Sequence, residues 1–151
     1  MSGFEVVLRV QVSRLAGSED LPLPSYATSG AAGMDLRASE DVVLGAGERL
    51  AVPTGLVVAL PEGYEGQVRC RSGLALRHGL SLVNGVGTID SDYRGEVKVL
   101  MVNLGSETVT LKRGERVAQM VVVAVERVEL EESENLSETS RGSGGFGSTG
   151  T

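Results

Sequence analysis

Apolar and polar positions alternate along this chain in short runs, broken at frequent intervals by Gly, Pro, Asn and Asp, which is the pattern of half-buried β-strands joined by tight turns. Residues 4–12 (FEVVLRVQV) are β-branched and partly alternating and predict a first strand. The stretch LPLPSYATSGAAG follows, and its prolines and glycines forbid a long helix or a central strand. Further strands are predicted over 41–44, over 49–60 with a break at Pro53, and over 64–70, 95–103, 107–111 and 117–125. In GEVKVLMVN, Glu96 and Lys98 alternate with Val97 and Val99 before the run becomes apolar on both faces. Only RSGLALRHGL reads as helical, with Ser72 as N-cap, a short helix over 74–78 and Gly79 ending it at the C′ position. Many short strands with glycine-rich turns predict an all-β fold, a jelly-roll-like β-barrel or sandwich with one short helix.

Composition narrows the class. The chain has 151 residues, 41% hydrophobic and 23% charged, which suits one globular domain. It has no Trp and only two Phe, so the core must be built from Val, Leu, Ile and Ala. The 21 glycines imply tight turns or places where backbone approaches a ligand closely. Cys70 is the only cysteine, which excludes an intrachain disulfide and four-cysteine metal sites. The longest apolar run, about 117–125, is far short of the roughly 20 residues of a membrane helix. Arg9 interrupts the apolar stretch near the N-terminus, so a secretory signal is not expected. The expected setting is cytoplasmic, or another intracellular compartment such as the nucleus or an organelle. Residues 126–140 hold six glutamates and one arginine, and so account for most of the formal charge of -6. The remainder is nearly neutral and offers no basic footprint for long nucleic acid.

Three segments carry candidate chemistry, each with a plain structural reading beside it. Arg71 and the N–H groups at the start of the short helix could hold an anion, because free donors and the helix dipole both favour negative charge; an ordinary capped helix with a surface arginine explains the same residues. In VNGVGTIDSDYRGEV (83–97), Asn84 followed by glycines predicts a hairpin whose loop can approach a ligand through its backbone. Asp90 there offers a carboxylate that can take a proton from a water held near it. Turn capping is the alternative for Asp90 and Asp92, and a half-buried strand position the alternative for Tyr93. The tail RGSGGFGSTGT has five glycines and a single Phe. Ordering it costs roughly 1–2 kcal/mol per residue, whereas burying Phe146 returns only about 1.5–3 kcal/mol. The free tail is therefore expected to be disordered, either as an idle end or as a segment that wraps phosphates when a ligand arrives.

Taken in order, AAGMDLRA (31–38), RSGLA (71–75), NGVGTIDSDYRGEV (84–97), GERVAQM (114–120) and RGSGGFGSTG (141–150) resemble the five motifs of the homotrimeric dUTPase family, from about residue 20 to the end. LPLPSYAT also resembles that family's approach to its first motif. The resemblance implies a jelly-roll-like β-clip barrel over 1–125, an acidic linker over 126–140 and a flexible glycine-rich lid over 141–151. It implies a homotrimer with active sites shared between subunits, and hydrolysis of dUTP to dUMP and pyrophosphate, which limits uracil incorporation into DNA and supplies dUMP for dTMP synthesis.

Roles follow for matching positions. Arg71, Ser72 and Gly73 would contact phosphates, and Gln119 an α-phosphate oxygen. Asn84, Gly87, Thr88, Ile89 and the backbone at Lys98 would line a uracil pocket that leaves cytosine mismatched and rejects the methyl of thymine. Tyr93 would lie against the deoxyribose and exclude a 2′-hydroxyl. Asp90 would deprotonate the water that attacks the α-phosphorus. Arg141, Ser148 and Thr149 would close over the terminal phosphates while Phe146, beside Gly147, stacks on uracil. Mg²⁺ would ride on the triphosphate, held by phosphate oxygens and water, with Asp35 either touching its water shell or purely structural. Departures are small: Cys70 stands where proline is frequent, Glu115 where aspartate is common, and Val86 precedes GTID where alanine or proline is frequent. His78, Tyr26 and Tyr64 receive no chemical role.

Two other functions compete. A dCTP deaminase shares the fold and trimer, but resembles a motif set with a second serine after RS and a glutamate base near the pyrimidine; RSGLA and TIDSDY match the hydrolase. A non-catalytic β-barrel whose tail binds a partner protein is also compatible with the composition and the acidic linker.

Overall fold

The computed structural model describes residues 7–150. Its strands begin with β1 (Gln11–Arg14), β2 (Met34–Arg37), β3 (Val42–Leu44), β4 (Arg49–Pro53), β5 (Leu56–Ala59) and β6 (Tyr64–Cys70). After the helix α1 (Ser72–His78) come β7 (Leu80–Leu82), β8 (Gly87–Ile89), β9 (Lys98–Asn103), β10 (Val109–Leu111) and β11 (Arg116–Ala124). They form small antiparallel sheets in the orders β2-β11-β6-β8, β4-β9-β7, β1-β5 and β10-β3, a jelly-roll-like barrel around one aliphatic core. Leu36, Leu44, Val52, Leu80, Val99, Met101, Val117 and Met120 are buried in it, and no aromatic ring is buried among the described residues.

The two longest strands show how the pattern becomes structure. β6 turns Gly66 and Val68 inward, while Glu65, Gln67 and Arg69 form an outward ladder in which each side chain hydrogen-bonds the next at 2.6 Å. β11 lies between β6 and β2, with Gln119 opposite Asp35 on one side and Arg69 on the other. Pro53 closes β4, as its missing N–H requires.

Several expectations are corrected. The predicted strand 4–12 begins at 4–6, outside the described residues, and of the rest only Gln11 and Val12 join β1, which runs on to Arg14. Its sole partner is β5, and Gln11 pairs with the last residue of that strand, Ala59; beyond it the chain reaches Pro61 and turns, leaving residues 7–10 nothing to pair with. Three short strands, β2, β7 and β8, were not foreseen. The N-cap of α1 is Arg71, extended at φ -84° and ψ 131°, and Ser72 is already helical and caps nothing with its side chain. The first helical bond, from Ala75 N–H to the Arg71 carbonyl, sets that start. Gly79 ends the helix as expected, in the left-handed region at φ 69°, where glycine carries no Cβ penalty.

One polar side chain is locked into the core. Asn103 is fully buried; its Nδ2 donates to the carbonyls of Leu44 (3.0 Å) and Glu107 (2.7 Å), and its Oδ1 accepts from the Gly105 N–H (2.9 Å). Asn103→Ala strands those groups and opens a void, and is expected to cost about 2–4 kcal/mol. Urea unfolding monitored by circular dichroism checks this; an unchanged midpoint would show that the three bonds contribute no net stability.

Candidate active site

The hairpin predicted around Asn84 is corrected: β7 and β8, the strands on either side of that turn, lie in different sheets, and β7 finds its partner in β9 instead. β7 and β9 pair as Leu80–Leu82 with Met101–Asn103, and the Val83 N–H extends the pairing to the Leu100 carbonyl. Between these arms the chain turns at Asn84 and Gly85 and crosses to another sheet. There β8 adds to the edge of β6, with Gly87, Thr88 and Ile89 opposite Val68, Gln67 and Gly66. A turn closed by the Tyr93 N–H on the Asp90 carbonyl then brings it back, and the Val97 N–H bonds the Leu56 carbonyl before β9 begins.

The excursion walls a cleft of about 320 Å³, a size that suits a small ligand. Asn84, Gly87, Thr88, Ile89, Asp90, Tyr93 and Lys98 all line it, so the structure gathers these seven candidates in one place. Sequence reasoning missed Glu96, Val97 and Leu100, which line it too. Glu96 has one carboxylate oxygen, Oε2, buried without a hydrogen-bond partner among the described residues. Two backbone edges meet at this cleft. β8 ends its sheet, so the edge facing away from β6 has no strand partner. Lys98 lies beyond the end of β7 on one side of β9 and opposite Pro53 on the other. Asp90 is exposed at the end of β8 with no ion-pair partner among the described residues, and it also borders a larger cleft of about 940 Å³ carrying Glu62, Glu65, Asp92, Arg94 and Arg127.

A second cluster forms where β2, β6 and β11 meet the start of α1. The Arg71 Nε lies 3.3 Å from Asp35 Oδ1, and Arg116 Nη1 lies 3.4 Å from Asp35 Oδ2. Arg71 also donates to the Arg116 carbonyl (3.2 Å), and the Gln119 amide donates to the Cys70 carbonyl (3.2 Å). Arg71, Ser72, Gly73 and Gln119 are thus neighbours, and the N–H groups of Ser72 and Gly73 precede the first helical bond. Arg116 was missed; its place in GERVAQM hinted at it, but its meeting with Asp35 depends on the β11–β2 register. Both Asp35 oxygens face guanidinium groups, and no group of three or more His, Cys, Asp and Glu that could cage a metal exists among the described residues. Cys70, just before Arg71, donates to the Leu80 carbonyl, and burial pushes its thiol pKa above the ordinary value, so it remains a neutral packing group.

The remaining candidates lie on the C-terminal segment. After the Val125 N–H bonds the Gly63 carbonyl, residues 126–150 form no strand or helix, and from Ser133 onward their hydrogen bonds are local turns. Arg141 donates to the Gly144 carbonyl, and the Ser148 N–H closes a turn on Gly145 around Phe146 and Gly147. Arg141, Phe146, Gly147, Ser148 and Thr149 therefore do not line the cleft. Phe146 is the one described non-glycine residue at positive φ, 52°, and its ring is fully exposed. Both features cost free energy for a bulky apolar residue.

Comparison with known proteins identifies the family. A family model described as dUTPase matches residues 19–150. A deoxyuridine 5'-triphosphate nucleotidohydrolase of Rhizobium leguminosarum is 57% identical over 141 residues, covering 91% of this chain and 90% of its own length. The protein of the same name from Anaplasma marginale is 56% identical over 147 residues, covering 96% and 100%. Among solved structures, the dUTPase of Staphylococcus bacteriophage 80alpha with dUpNHpp superposes with a TM-score of 0.87 at 28% identity, over 95% of this chain and 99% of that one. A variant dUTPase from phage phi11 of S. aureus, whose structure is described as revealing the coordination of a structural Mg(II) ion, gives 0.77 at 26% identity, over 84% and 97%.

Proposed function

The chain belongs to the dUTPase family and hydrolyses dUTP, and from that premise we propose how its residues divide the work. The observation that carries the assignment is the cleft at 83–100, where one loop presents Asn84, Thr88, Tyr93 and Lys98 around Asp90. Uracil enters between the free edge of β8 and the side of β9 at Lys98 that lies beyond the end of β7, where peptide groups take the place of a pairing partner. Cytosine would set donor against donor there, a mismatch that such a site rejects strongly. Tyr93 forms the wall against the deoxyribose and leaves no room for a 2′-hydroxyl. Asp90 orients a water and takes its proton as the water oxygen attacks the α-phosphorus; the bond to the bridging α–β oxygen breaks, leaving dUMP and pyrophosphate. The dUMP supplies dTMP synthesis, and removal of dUTP limits uracil incorporation into DNA.

Arg71, Ser72, Gly73 and Gln119 hold the phosphates. The lid residues Arg141, Ser148 and Thr149 close over them while Phe146, next to Gly147, stacks on the base, an interaction worth about 1–3 kcal/mol. The strained, exposed Phe146 supports this reading, since its ring gains its partner only on closure. Residues 1–125 act as the barrel, 126–140 as the acidic linker and 141–151 as the lid. Mg²⁺ fits as an ion carried on the triphosphate, neutralising charge there. Asp35, occupied by two guanidinium groups, reaches it through water at most and serves first to place Arg71.

A homotrimer is supported by two features. The pyrimidine cleft and the phosphate cluster share no lining residue, and Gln67, opposite Thr88 at the cleft, stands four positions from Arg71 along an extended chain, roughly 13 Å. Leu50, Val83 and Leu100 are moreover exposed together on the β4-β9-β7 sheet, with Leu100 also at the cleft, a patch that suits a neighbouring copy. The dUpNHpp in the phage 80alpha enzyme, a dUTP analogue, matches the substrate assigned here.

The test is pyrophosphate release from dUTP, dCTP, dTTP and UTP, with and without Mg²⁺. Release from dUTP alone, faster with Mg²⁺, is expected. Ammonia from dCTP would instead establish the deaminase, and no release by folded protein would favour the binding module.

A further inference from the structure

We propose that Gly95 is a specificity-determining positioning residue, whose missing side chain is the seat on which the Tyr93 ring rests. The Tyr93 hydroxyl donates to the Glu96 carbonyl at 2.9 Å, which folds the ring back across residue 95. A Cβ at 95 would lie 2.5 Å from the ring Cζ and 2.9 Å from Cε2, and would collide with the hydroxyl itself. A real Cβ does not approach a non-bonded heavy atom so closely, so either the backbone or the ring must move.

The backbone is held on both sides. Arg94 Nη1 donates to the carbonyls of Ser91 (2.6 Å) and Tyr93 (2.9 Å), and the Tyr93 N–H bonds the Asp90 carbonyl. Downstream, the buried Thr54 hydroxyl donates to the Val97 carbonyl, and the Val97 N–H bonds Leu56. Tyr93 is 45% exposed, and its ring has space to swing. It is therefore the ring that yields, losing its bond to Glu96. Residue 95 is not at positive φ, so alanine fits the backbone and the protein keeps its fold. The inference rests on the reading of Tyr93 as the wall against the sugar: Gly95 touches no substrate and acts by setting where that wall stands.

The experiment measures kcat and KM for dUTP and UTP in Gly95→Ala, Tyr93→Ala and the double variant of the full chain. Ring resonances are followed in tyrosine-labelled protein, which has only three tyrosines. Gly95→Ala is expected to shift the Tyr93 signals and to lower the dUTP-to-UTP ratio of kcat/KM by about 10-fold to 200-fold, the range one added methylene commands in a shaped pocket. KM for dUTP should change more than kcat. In the Tyr93→Ala background the same substitution should change nothing further. An equal loss in both backgrounds overturns the proposal, because Gly95 would then act other than through the ring. Unmoved Tyr93 signals with an intact ratio, while Tyr93→Ala loses discrimination, overturn it and leave the sugar wall standing. If Tyr93→Ala itself keeps the ratio, the sugar wall falls and the proposal with it.

Discussion

Asp90→Asn is expected to bind dUTP within a few-fold of the unaltered protein and to turn it over about 10²–10⁴ times more slowly, the range a positioned general base contributes. The substitution exchanges one oxygen for an amide nitrogen of the same size, so cleft shape is kept. Asp90 is exposed at the end of β8 and has no ion-pair partner among the described residues, so no structural salt bridge is lost with its charge. What disappears is the capacity to accept a proton from water. Single-turnover pyrophosphate release, with calorimetric binding of dUpNHpp, separates the two effects. Turnover that survives unchanged would remove Asp90 as the base.

Deleting residues 141–151 is expected to leave a folded protein and to lower kcat/KM about 10²-fold or more, as loss of precise phosphate placement does. Folding should survive because the core draws on residues up to Met120 and the last backbone tie to the barrel is from Val125 to Gly63. Arg141, Phe146, Ser148 and Thr149 go together, removing a cation, two hydroxyls and the stacking ring. Sedimentation, circular dichroism and steady-state kinetics on the truncated chain check it. Full activity would eliminate the closing lid.

Legibility in the sequence followed the range of the interaction. β6 spans 64–70 as its alternation requires, and Pro53 and Gly79 end their elements for reasons internal to those residues. β8 has only three residues, one of them glycine, and is a strand because β6 offers an edge to it. β1 starts later than its β-branched run because β5 is short. The N-cap of the helix falls one residue before the serine that local propensity favours, because extended Arg71 leads straight out of β6. The site divides likewise. NGVGTID and DYRGEVK lie close in sequence, and seven of the ten residues lining the cleft they build could be read from them. Arg116 and Asp35 are 81 positions apart, and their meeting is fixed by strand register that no local pattern encodes.

The acidic segment after β11 has a kinetic meaning. Its 15 residues, 126–140, span about 20 Å as a flexible chain and somewhat more as one repelling its own charge. The lid proposed above is then a tethered ligand whose effective concentration at a site within reach is of millimolar order. A synthetic peptide of residues 141–151 given to the truncated enzyme would accordingly need millimolar amounts to restore hydrolysis. Such a tether would let weak contacts suffice, so that the proposed lid closes for each substrate and still lets go of each product.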